Sequence, residues 1–79
     1  MSNTMKLREI FSNTLGIPIE TVKESLQYKS HHWDSVAHMA IVAAIDEGFD
    51  IMMEVDDIID MSSFAKAMEI LKKYGIQFD

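Results

Sequence analysis

Cysteine is absent from the 79 residues. Disulfides, thiolate catalysis and cysteine-ligated zinc are therefore excluded, and stability has to come from packing alone. Proline occurs once, at Pro18, and glycine three times. That leaves no flexible linker and no glycine-rich turn around a serine. No internal repeat is present, and no apolar run is long enough to cross a bilayer. The N-terminal stretch M-S-N-T-M-K-L-R-E-I-F is polar and charged. It lacks the basic-then-apolar order of a signal peptide, so the expectation is a cytoplasmic protein.

Lysine and arginine are missing between Lys29 and Lys66, while that interval carries Asp34, Asp46, Glu47, Asp50, Glu54, Asp56, Asp57 and Asp60. The formal net charge is −6. A surface of this sign repels nucleic acid and anionic membranes. It attracts basic patches on partner proteins and speeds their encounter. One-sign surfaces also serve solubility, so charge alone does not choose between these uses.

What is present is a short, apolar chain. Its length predicts one domain over residues 1–79, with too little wall for a deep enclosed active site. Hydrophobic residues make up 48% of it, enough for a core without staples. The seven methionines suit gap-filling in that core or a contact surface that adapts to its partner.

Leu7, Ile10, Phe11 and Leu15 fall on one face of a helix over Asn3 to Leu15, closed by Gly16 and Pro18. Residues 17–33 follow no single period. They read as a long loop pinned by its apolar side chains, with room for one helical turn between Glu20 and Ser25. Asp34 is a strong N-cap for a second helix reaching Gly48 or Phe49. From Val36 to Ile45 only His38 is polar, so this helix is central, with one face available to a partner. A short turn is expected around Val55 to Ile59. A last helix runs from Ser62 to Tyr74, capped by Ser62 or Ser63, with Phe64, Ala67, Met68 and Leu71 inward and Gly75 closing it. The fold class is all-α. It is a small four-helix bundle of three main helices and one short one, with the long loop between the first and second main helices.

The stretch H-H-W-D-S-V-A-H-M, His31 to Met39, concentrates the polar chemistry. Ser35 and His38 are one helical turn apart, but a hydrolase triad also needs an oriented histidine and an oxyanion hole. His31, His32, Asp34 and His38 lack the spacing of a metal site. The acid-rich stretch after Ile45 fails as a calcium loop because its glycine and acids are misplaced. Two readings stay open on the residues alone. Asp34 caps a helix and Trp33 packs on the bundle edge, or Ser35 is a modification site whose phosphodiester would meet a helix N-terminus.

The chain resembles an acyl carrier protein or peptidyl carrier domain over nearly its whole length. The resemblance rests on Asp34-Ser35-Val36 at the start of the second helix and on I-D-E-G-F-D-I at its end. It extends to G-I-P-I-E-T-V after the first helix, V-D-D-I-I-D, and S-S-F-A-K-A-M-E-I-L. It implies that Ser35 receives 4′-phosphopantetheine from coenzyme A through a phosphopantetheinyl transferase, which recognises Asp34. The arm's thiol then holds acyl or aminoacyl groups as thioesters, and the protein catalyses nothing itself.

The implied partners are that transferase, a loading ligase, and downstream transferases or synthases with basic docking patches. They would meet a monomer through Val36, Met39, Asp46, Glu47, Asp56 and Asp57. The sequence departs from the family where His32-Trp33-Asp34-Ser35 replaces Gly-x-Asp-Ser and where Ala37 to Ala40 replace a more acidic first turn. These departures resemble free-standing carriers of polyketide, nonribosomal peptide or cell-surface polysaccharide pathways more than fatty-acid synthesis. The alternative from another class is an unmodified acidic helical module that binds a partner protein.

Overall fold

A computed structural model describes residues 2–79. Helix α1 spans Asn3–Leu15, α2 Ser35–Phe49, α3 Val55–Asp60 and α4 Phe64–Lys72. Among the described residues there are no strands, only one isolated antiparallel bridge between Gln27 and Ser63. The architecture is the small all-α bundle expected from the sequence.

Local chemistry sets each helix boundary. Ser2 caps α1 by accepting from the Met5 N–H, and Gly16 ends it in the left-handed region at φ 68°. Ser63 caps α4 by accepting from the Lys66 N–H, which decides between the two serines. Helix α4 stops at Lys72, and Gly75 follows at φ 85°. Helix α2 ends differently: Asp50, not a glycine, takes the left-handed position at φ 55°. Gly48 instead serves packing. A Cβ there would stand 3.2 Å from Ile10 Cδ1, so α1 and α2 approach closely at this point.

The core is one cluster. Leu7, Phe11 and Leu15 of α1 meet Ile41, Val42 and Ile45 of α2 and Phe64, Ala67, Ile70 and Leu71 of α4. Ile70 takes the buried place in α4 that the spacing gave to Met68, which is only partly covered. Ile70 joins Ala67 and Leu71 in the core cluster, while Met68 packs against its margin.

The long loop is not loose. Its only helical turn is a short 3-10 segment at Ile19–Thr21. Arg8 of α1 donates to the carbonyls of Ile19 and Val22 at 2.9 and 3.1 Å. Tyr28 N–H donates to Ser62 O and Phe64 N–H to Leu26 O, both at 2.9 Å. Val22, Leu26 and Trp33 are buried beneath these bonds. The loop therefore has its backbone partners supplied by side chains and by the approach to α4.

Trp33 departs from its expected place on the edge. It is 1% exposed, in edge-on contact with Phe11 at 5.1 Å between ring centroids. Phe11 meets Phe64 in the same way at 5.1 Å.

Candidate functional site

The approach to α2 is a tight reversal. Lys29, His31 and His32 all take positive φ, at 77°, 50° and 70°. The Lys29 N–H donates to Trp33 O at 2.7 Å, and the Trp33 N–H to Ser30 O at 2.9 Å. Three left-handed residues without glycine together cost about 3–6 kcal/mol. Burial of one indole contributes about 4–6 kcal/mol. Trp33 therefore offsets the reversal it anchors, and the turn delivers Asp34 and Ser35 to the rim of the bundle.

Asp34 has extended backbone, and its Oδ1 accepts from the Ala37 N–H at 2.9 Å. It is the N-cap the sequence indicated. Ser35 is the first helical residue and is exposed. Its hydroxyl opens on a groove of about 340 Å³ between the start of α2 and α3. Tyr28, His38, Met39, Ile58, Ile59 and Met61 line that groove with Ser35. Its walls are mostly apolar, and its polar groups are few.

His38 forms part of the groove wall and holds it together. The indole N–H of Trp33 donates to His38 Nδ1 at 2.9 Å. An indole only donates, so Nδ1 carries the lone pair and Nε2 carries the proton. That Nε2–H donates to the carbonyl of Ile58 in α3 at 2.7 Å. The imidazole stacks on Trp33 at 5.8 Å, and Tyr28 meets it edge-on at 5.4 Å. A histidine held this way has no nitrogen free to accept the Ser35 proton.

The remaining histidines lie elsewhere. His31 and His32 are exposed on the turn. Among the described residues no three histidine, aspartate or glutamate side chains stand close enough to hold a metal ion.

Around the groove, Val36 is 79% exposed, Met39 55% and Ile59 71%. Met52 and Val55 are exposed as well. Glu47 and Asp56 are solvent-facing. Asp46 is half-buried and accepts from the Met53 N–H at 3.1 Å, so it also fixes the turn after α2.

Asp57 differs from the other acids named for partner contact. It is 7% exposed, accepts from Lys73 Nζ through Oδ1 and from the Tyr74 hydroxyl through Oδ2, each at 2.5 Å. These two donors hold its carboxyl below the usual carboxylate range. Asp57 fastens α3 to the end of α4, and both its carboxylate oxygens are engaged inside the protein. The sequence reading missed this clamp, and also missed Ile59 as an exposed apolar residue. An isoleucine in a six-residue helix otherwise rich in aspartate was the available signal for Ile59.

A family model described as the phosphopantetheine attachment site matches residues 6–71. No curated protein matches the chain. Domains of this family carry covalently attached 4′-phosphopantetheine, are generally non-catalytic carriers, and work with phosphopantetheinyl transferases and biosynthetic enzymes. The residues present suit such a group: an exposed serine hydroxyl at the positive end of a 15-residue helix, opening on an apolar groove. With the match running from α1 almost through α4, the chain belongs to the phosphopantetheine attachment site family and is a phosphopantetheine-carrying carrier protein.

Proposed function

We propose that Ser35 is the attachment residue and that the chain presents acyl or aminoacyl groups as thioesters to successive enzymes of a specialised biosynthetic pathway. The observation that carries this reading is the exposed Ser35 hydroxyl at the first turn of α2. The other serines within the matched residues are less suited. Ser12 and Ser30 donate to the carbonyls of Ile17 and Gln27, and Ser63 caps α4. Ser25 and Ser62 are exposed but stand in the loops, not at a helix start.

The group supplies a terminal thiol on which cargo is held as a thioester. The chain supplies position. Trp33 anchors the turn, Asp34 fixes the first turn of α2, and the helix N-terminus favours the negative phosphodiester at Ser35. Tethering raises the concentration of cargo near each partner active site. Val36, Met39 and Ile59 offer an apolar contact, and the exposed Glu47 and Asp56 offer carboxylates for a basic patch. Asp34 is the acid next to Ser35 that a transferase would read. The specialised pathway rests on His32-Trp33 before Asp34 and on His38 in the first turn.

The test is the intact mass after incubation with coenzyme A, magnesium and a broad-specificity phosphopantetheinyl transferase. A gain of one phosphopantetheine group in the native chain and none in Ser35→Ala is expected. No gain from folded native protein would favour an unmodified acidic interaction module, and a gain in both would move the attachment to another serine.

A further inference from the structure

The cargo's resting place depends on what lies behind the groove. His38 stands between Ser35 and the interior. It belongs to α2, yet its Nε2–H is bonded to the Ile58 carbonyl of α3 at 2.7 Å. Its other nitrogen is taken by Trp33 at 2.9 Å. Behind it the space is filled by rings: His38 on Trp33, Trp33 against Phe11, Phe11 against Phe64. All three core aromatics are 2% exposed or less.

An acyl chain passing between α2 and α3 would have to part His38 from Ile58. That would leave an imidazole N–H and a carbonyl without partners in an apolar seam. It would also displace the close-packed rings of Trp33, Phe11 and Phe64. The open groove, by contrast, has room beside Ser35 and an apolar lining from Met39, Ile58 and Ile59.

We propose that His38 is a positioning residue that bars the α2–α3 seam, so that cargo tethered at Ser35 lies in the surface groove and does not enter the core. This rests on Ser35 being the attachment residue. A carrier built this way leaves its thioester open to partner enzymes and favours short or polar cargo over long alkyl chains.

The experiment uses the transferase to load the full chain with 4′-phosphopantetheine from coenzyme A, or with its butyryl or octanoyl thioester from the corresponding acyl coenzyme A, the Ser35 hydroxyl forming the phosphodiester and 3′,5′-ADP leaving. Intact mass confirms loading, and methyl and aromatic NMR signals and melting temperature are then read. In the native chain, signals of Met39 and Ile59 should move. Those of Phe11, Phe64 and Leu71 should stay, and the melting temperature should change by under about 1 °C between cargoes. In octanoyl-loaded His38→Ala the core signals should move and the melting temperature should rise by about 5 °C or more over its pantetheine form. His38→Gln, which keeps an acceptor and a donor, should restore the native pattern.

Core signals that move with octanoyl in the native chain overturn the proposal whatever the variants do. An octanoyl-loaded His38→Ala that matches its own pantetheine form overturns it too. A missing mass gain is a separate result, which removes Ser35 as attachment residue and the proposal with it.

Discussion

Trp33 donates its indole N–H to Nδ1 of His38 at 2.9 Å, and that one bond sets the tautomer of the imidazole beside Ser35. It also joins the loop before α2 to α3, because the opposite nitrogen holds the Ile58 carbonyl. Trp33→Phe keeps an aromatic ring against Phe11 but removes the donor. The variant should lose about 1–2 kcal/mol in urea unfolding, the cost of a buried acceptor left unpaired. Trp33→Ala should lose about 3–5 kcal/mol through the added cavity. A nitrogen-detected NMR spectrum of the native protein should show His38 protonated at Nε2. Protonation at Nδ1, or a Trp33→Phe variant as stable as the native chain, would contradict the arrangement.

Asp34 and Ser35 are neighbours with separable roles. Asp34→Ala removes the acceptor for the Ala37 N–H and should cost about 1 kcal/mol of stability, with fraying at the start of α2. Ser35→Ala changes an exposed side chain and should stay within about 0.5 kcal/mol of the native protein. Circular dichroism with urea titration reads both, and intact mass after transferase treatment reads loading. Loss of helical signal in Ser35→Ala would make the serine a structural residue.

The helices were legible because their signals are local. Leu7, Phe11 and Leu15 mark a face, Gly16 and Asp34 mark ends, and the structure uses all five as their types suggest. What was not legible depended on contacts distant in sequence. Trp33 is buried because Phe11 lies opposite it, 22 positions earlier. His38, the lone polar residue in an apolar run, gave no hint that Ile58 would supply its partner. Asp56 and Asp57 look alike in V-D-D-I-I-D. Only the arrival of Lys73 and Tyr74 from the end of α4 tells them apart.

The Asp57 clamp should shape the pH dependence of stability. Its carboxyl lies below the ordinary value of 3.8 because Lys73 and Tyr74 donate to it. Its contribution is therefore complete above about pH 3.8 and lost as pH falls through the lower folded value. Lys73 and Tyr74 are both raised, first through their hydrogen bonds to Asp57, from 10.5 and 10.0. Their contributions are present below those values and lost as pH rises through the higher folded ones. Asp57→Asn should flatten both limbs of a stability-versus-pH curve measured by urea unfolding. Salt should weaken the effect, since the Lys73 side chain is 61% exposed. Native and variant curves of the same shape would show that the clamp carries no linked protons.

Asp56 and Asp57 provide the sharpest test of where partners dock. Asp56 is exposed, and Asp57 is turned inward. Asp56→Asn should slow modification by the transferase and leave stability within about 0.5 kcal/mol. Asp57→Asn should do the reverse, lowering stability while the folded fraction is modified at the native rate. Ile59→Glu, which places a charge on the apolar patch, should reduce kcat/KM for the transferase about 10–100-fold, the value of one buried aliphatic side chain. Raising salt beyond physiological strength shortens the screening length below about 8 Å and should slow the native reaction while narrowing the gap to Asp56→Asn. Rates from mass spectrometry at several salt concentrations measure all of this. A native rate indifferent to salt, with Ile59→Glu equally fast, would place the docking surface away from α2 and α3.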